Sequence, residues 1–121
     1  MHDYQFFLDA LISLPLEEKR MFGVQSYYLE EKILFCLNTN PKYAADRGIW
    51  FAVPKQYQQK IKHQVRSLEP LRNIPIKVWL LLAEDCATFE QDAYKLAEMI
   101  LNGSEWIGNF PKKKKRKSSG G

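Results

Sequence analysis

The chain has 121 residues, 45% apolar and 13% aromatic, which suits one folded domain with its own core and excludes a disordered body. Its net charge is +4, yet six of the 18 cations form one run, Lys112 to Lys117, and residues 1–111 carry 12 cations against 14 acids. The longest apolar run, Val78 to Ala83, falls far short of the roughly 20 residues that span a bilayer, which argues against a membrane partner.

Tyr4, Phe7, Leu8, Leu11 and Leu14 recur at helical spacing and predict an amphipathic helix over residues 3–14, stopped near Pro15. Val24 to Leu29 reads as a strand, Glu30-Glu31 as a turn, and Ile33 to Leu37 as the returning strand. Gly23, just before this hairpin, is a candidate bulge or close-approach site. Residues 38–47 read as a polar loop, and Gly48 to Val53 as a third strand closed by Pro54.

Tyr57, Ile61, Val65 and Leu68 then repeat at four, four and three, a second amphipathic helix over residues 55–67. Pro70 and Pro75 bracket a connector to a fourth strand, Ile76 to Ala83. That strand is apolar on nearly both faces and so expected in the middle of the sheet. Thr88, with Gln91 three residues on, predicts the N-cap of a last helix; Phe89, Ala93, Leu96, Ala97 and Ile100 are its buried stripe, and Asn102-Gly103 ends it. The order α-β-β-β-α-β-α predicts an α+β domain over residues 1–110 with an antiparallel or mixed four-stranded sheet. A flexible basic tail is expected over 111–121.

Cys36 and Cys86 have no paired spacing, and Met-His-Asp-Tyr carries an acid where a secretory leader carries cations. A cytoplasmic protein with buried thiols is expected, in preference to a disulfide. His2 and His63 have no Cys or Ser partner in a nucleophile motif, and His63 reads as a solvated histidine among lysines. His-x-x-x-His, Cys-x-x-Cys and phosphate-loop motifs are absent, so no metal, cofactor or catalytic residue is expected. Glu84-Asp85 follows a strand end, where a turn role outweighs a catalytic one, and two acids before Cys86 disfavour a reactive thiolate.

Charge is more informative. Residues 42–77 hold eight Lys and Arg against two acids, whereas residues 1–41 and 78–111 are net acidic. Lys55, Lys60, Lys62 and Arg66 on or beside the second helix are therefore candidate polyanion contacts, weighed against a merely solvated helix face. The tail cations Lys112, Lys113, Lys114, Lys115, Arg116 and Lys117 could join them, act as a nuclear import signal, or only aid solubility. Trp50, Trp79, Trp106, Tyr27, Tyr28 and Tyr57 could supply stacking platforms for a single strand, but most lie in expected strands and apolar helix faces, where core packing is the favoured reading. Trp106, after the last helix with Ile107 and Phe110, is expected to clamp onto the body or to meet a partner.

Arg20-Met21-Phe22-Gly23, followed by Tyr27-Tyr28-Leu29-Glu30-Glu31-Lys32-Ile33-Leu34-Phe35, resembles the TfoX/Sxy N-terminal domain within the YjbR/MmcQ-like superfamily. Ile76 to Leu81 and the Gly108-Asn109-Phe110-Pro111 ending are similar to later landmarks of that group. Val24 departs from the family's second glycine, and Arg72-Asn73-Ile74-Pro75 from its Gly-Arg-Pro-Met stretch. The resemblance implies an α+β fold, competence regulation for the full-length TfoX proteins, and a DNA-binding label for the YjbR group; it implies no catalytic residue. The expected function is a non-enzymatic regulatory binding domain that meets nucleic acid through its tail and second helix. The alternative is an adaptor for an acidic protein surface, or a homodimer, with a solubilising tail.

Overall fold

The computed structural model describes residues 4–21, 23–73 and 76–110. Their elements are α1 (Gln5–Ala10), β1 (Glu17–Met21), β2 (Val24–Leu29), β3 (Lys32–Asn38), a short 3-10 helix (Pro41–Asp46), β4 (Gly48–Ala52), α2 (Lys55–Gln64), β5 (Glu69–Pro70), β6 (Trp79–Ala83) and α3 (Phe89–Leu101). The sheet runs β1-β2-β3-β4-β6-β5, and every neighbouring pair is antiparallel.

The α+β class stands, but the sheet has six strands where four were expected, and no pair is parallel. β1 carries Glu17-Glu18-Lys19-Arg20-Met21, with no apolar alternation to mark it. It is a strand because β2 offers a free edge, in the register Glu17 opposite Tyr28 to Met21 opposite Val24. β5 is two residues long and contains Pro70, which the rim of a sheet tolerates because no outward N–H is needed there. The fourth expected strand begins only at Trp79; Ile76 and Lys77 are exposed, and β6 lies between β4 and the short β5. The loop over 38–47 holds the 3-10 helix, started by Pro41 and by the Asn40 side chain, which accepts the Lys42 N–H at 2.9 Å.

Alternation along the strands builds two apolar layers. Ile49 and Phe51 of β4 and Val53 just after it, with Leu80 and Leu82 of β6, join Phe7 of α1, Ile61 of α2 and Leu96 of α3 in the larger core. Phe7 meets Phe35 edge-on at 4.9 Å between ring centroids, and Tyr27 stacks on Phe35. On the opposite sheet face Cys36, Trp50, Ala52, Trp79 and Leu81 form a second layer, onto which Tyr43 of the 3-10 helix, Leu71 and Val78 pack.

Two details of backbone geometry correct or explain the sequence. The bulge lies between Tyr27 and Tyr28, where the register skips Leu34, so that Leu34 and Phe35 both reach the helix-side core. Gly23 is instead the close approach: its φ is +81°, and a Cβ there would stand 2.7 Å from Asn40 Nδ2. Gly48 opens β4 with φ +144°, where a Cβ would stand 2.3 Å from the Leu82 carbonyl oxygen; the β4–β6 pairing closes only around a glycine.

Candidate nucleic-acid interface

α2 is held to the body by its inner stripe. Ile61 is fully buried, Val65 and Leu68 continue that stripe past the helix end, and Tyr57 and Gln58 are half-buried. Gln58 Nε2 donates to the carbonyls of Val53 at 3.0 Å and Lys77 at 2.6 Å, tying the first turns to the end of β4. The opposite face is polar. Lys55, Gln59, Lys60, His63 and Gln64 are exposed, Lys62 is half-buried, and Arg66 is exposed in the turn that follows the helix.

Gln59 and His63, one helical turn apart, form a ridge between two depressions. One, of about 320 Å³, is lined by Gln59, Lys60, His63, Gln64 and Trp106. The other, of about 390 Å³, is lined by Gln59, Lys62, His63 and Arg66. Three of the four candidate cations in the described residues thus gather around one ridge, and Lys55 stands at the start of the same helix.

Trp106 arrives from the far end of the chain on a strap. Its main-chain N–H donates to Ser104 Oγ at 3.2 Å, Ile107 is buried, and the Gly108 N–H donates to the Ala52 carbonyl at 2.7 Å. Asn109 exchanges two backbone hydrogen bonds with Ile33, at 2.9 and 3.0 Å. The expected clamp therefore forms through Ile107 and the backbone. Trp106 is half-buried against the core, and Phe110 is 64% exposed with the Lys32 ammonium 6.0 Å from its ring centroid. The tail cations Lys112 to Lys117 lie outside the described residues, as do His2 and Phe22.

Of the eight cations of residues 42–77, Arg47 and Arg72 meet carboxylates, whereas among the described residues Lys42 and Lys77 do not, nor do the four on or beside α2. Arg47 pairs with Glu84, and Arg72 pairs with Glu69 at 3.0 Å and Asp85 at 3.4 Å. The hydrogen bonds that Arg72 donates to Glu69 first, and then to Asp85, hold its guanidinium still more firmly protonated than usual. Among the described residues, Lys55, Lys60, Lys62 and Arg66 have no carboxylate within ion-pair distance. Lys60 instead lies 6.0 Å from the Tyr57 ring centroid.

The acids after β6 are occupied by this same network. Glu84 accepts the Tyr4 hydroxyl at 2.8 Å besides Arg47, and Asp85 faces Arg72. Cys86 is half-exposed, contrary to the expectation of two buried thiols, because it sits in the turn after β6 with its Sγ 3.4 Å from Thr88 Oγ1. Cys36 is buried, and burial pushes its thiol up to about 12. Thr88 does precede α3, but its hydroxyl donates to Asp92 Oδ2 at 2.6 Å and caps no backbone N–H. Ser67 donates to the same oxygen at 2.6 Å, so Asp92 joins α3 to the turn after α2.

The α2 cations and Trp106 are marked in the sequence by charge and by position after the last helix. His63, expected to be merely solvated, lines both depressions, and nothing local marks Gln59 or Gln64 as lining one. Among the described residues no three His, Cys, Asp or Glu side chains could hold a metal ion, and no helix is long and apolar enough to cross a membrane. No protein-family model, curated protein or solved structure matches the chain.

Proposed function

We propose that the chain is a non-enzymatic regulatory binding domain that meets the phosphate backbone of nucleic acid through α2, with Lys112 to Lys117 adding a second contact. The observation that carries this reading is the separation of the cations. Arg47 and Arg72 are neutralised within the fold, whereas four of the six cations of residues 42–77 without an ion pair among the described residues, Lys55, Lys60, Lys62 and Arg66, lie on or beside α2. Helix stability accounts for part of that placement, because Lys62 and His63 lie in the last turn, where the dipole favours cations. It does not account for Lys55, which opens the helix at the end that disfavours positive charge. The TfoX/YjbR resemblance agrees with this reading, which stands on α2 without it. Two free thiols agree with a cytoplasmic location.

Salt-titrated binding to labelled DNA and RNA oligonucleotides tests the proposal. The tail alone, with all six cations on duplex phosphates, gives a slope of log affinity against log salt of about −5. Engagement of α2 steepens it, and the triple variant Lys60→Glu, Lys62→Glu, Arg66→Glu should weaken binding both in the full chain and in residues 1–111. Absence of binding at low salt, or full-chain binding indifferent to the triple variant, would overturn the α2 interface.

The outer edge of β1, unpaired among the described residues, favours a second reading, in which a strand of another chain, or of a second copy, pairs with Glu17–Met21. That strand is exposed apart from Met21, and its four consecutive charges are the usual defence of such an edge. Sedimentation of the chain across a concentration series separates a homodimer from a monomer.

A further inference from the structure

We infer that the nucleic acid bound at α2 is single-stranded, with one base stacked on Trp106 and the adjoining phosphates on Lys60 and Lys62; this rests on the α2 reading above. A duplex keeps its bases inside, so an aromatic side chain beside a phosphate-binding helix contributes only when a base can turn toward it. Trp106 is placed in that way. It lines the same depression as Lys60, His63 and the two amides of Gln59 and Gln64. The composition is that of a base site: an aromatic plane, side-chain amides able to both donate and accept on a base edge, and a cation for the phosphate.

The placement is also rigid. The strap that carries Trp106 is pinned on both sides, by Ser104 before it and by the Ile107, Gly108 and Asn109 contacts after it, so no ordering is required on binding. The other two tryptophans cannot serve, because Trp50 and Trp79 are 2% and 5% exposed in the second apolar layer. Across the Gln59–His63 ridge, Lys62 and Arg66 line the neighbouring depression, which places a second phosphate-binding surface next to the first. A strand crossing the ridge has its base on the Trp106 flank and adjoining phosphates on Lys60 of that flank and on Lys62 of the other.

The test uses the full chain and three probes of equal length: a thymidine 12-mer, an abasic 12-mer with the same phosphates, and a 12-base-pair duplex. The thymidine strand should bind more tightly than the abasic strand by about 5- to 100-fold, the range expected for one stacked base. Trp106→Leu should erase that difference and leave abasic and duplex binding unchanged, while Trp106→Tyr should retain most of it. Because Trp106 packs partly on the core, the unsubstituted chain provides a second measurement. Its half-exposed tryptophan should be quenched by the thymidine strand and not by the abasic one. Equal affinity for the two strands, with no quenching, overturns base stacking even where Lys60→Glu weakens both. Failure of all three probes to bind overturns the α2 interface itself.

Discussion

The buried carboxylate of Asp46 accepts the main-chain N–H of Arg72, and also that of Asn73 at 3.1 Å. Its own carbonyl accepts the Asn38 amide and the Trp50 indole N–H, each at 2.8 Å. One residue thus fastens the 3-10 helix to β3, β4 and the connector after β5. Removing the carboxylate leaves two inward-facing N–H groups without an acceptor. Asp46→Ala should cost about 3 kcal/mol of stability, and Asp46→Asn less, since one acceptor oxygen remains. Urea unfolding measures both; an Ala variant as stable as the parent would show that solvent replaces the carboxylate.

The strap after α3 should matter to the fold as well as to the site. A chain ending at Gly103 lacks the buried Ile107 and the backbone bonds to Ala52 and Ile33. The expected loss is about 3 kcal/mol, chiefly the burial of one isoleucine. Thermal unfolding of the two chain lengths gives the answer, and an unchanged midpoint would mean that the strap rests on the surface without supporting it.

Alkaline pH should destabilise the fold through two acids that are held protonated. Burial pushes the Cys36 thiol from 9.0 up to about 12, with the Ser26 hydrogen bond pulling the other way. Burial, then the charge and hydrogen bond of Glu18, push the Tyr27 phenol from 10.0 up to about 12. Between the ordinary and the raised values the folded chain holds more protons than the unfolded one. The stability they contribute is therefore complete below pH 9 and is lost as pH rises toward 12. Urea midpoints should be flat through neutrality and fall above pH 9, less steeply in a Cys36→Ala, Tyr27→Phe double variant. An equal slope in that variant would move the cause to other groups.

Glu30 turns the β2–β3 hairpin with φ 60°, a left-handed conformation that strains a residue other than glycine. Glu30→Asn, which tolerates this geometry better, should raise stability by about 0.5–1 kcal/mol. A lower melting temperature in the variant would show that the Glu30 side chain contributes more than its backbone costs.

Much of the architecture was legible because its cause is local. The continuous apolar run from Ile49 to Val53, closed by Pro54, marks β4, and the four-four-three spacing of Tyr57, Ile61, Val65 and Leu68 marks α2 with its inward stripe. The basic face of α2 followed directly, because charges absent from the stripe must point elsewhere. What stayed hidden depends on partners distant in sequence. β1 is a strand only because β2 lies beside it, and β5 only because Leu80 and Leu81 do.

The chain by itself therefore determined an α+β domain, the polarity of α2 and the confinement of the alkaline charge balance to residues 112–117, since these rest on periodicity and on counting. The tertiary structure decided which cations are neutralised, that Asp46 is buried while the other described acids are not, and that Trp106, 46 residues further along, lines the same depression as Lys60. Each is set by distance in space, and no local pattern of residue types encodes which loop comes to rest beside which helix.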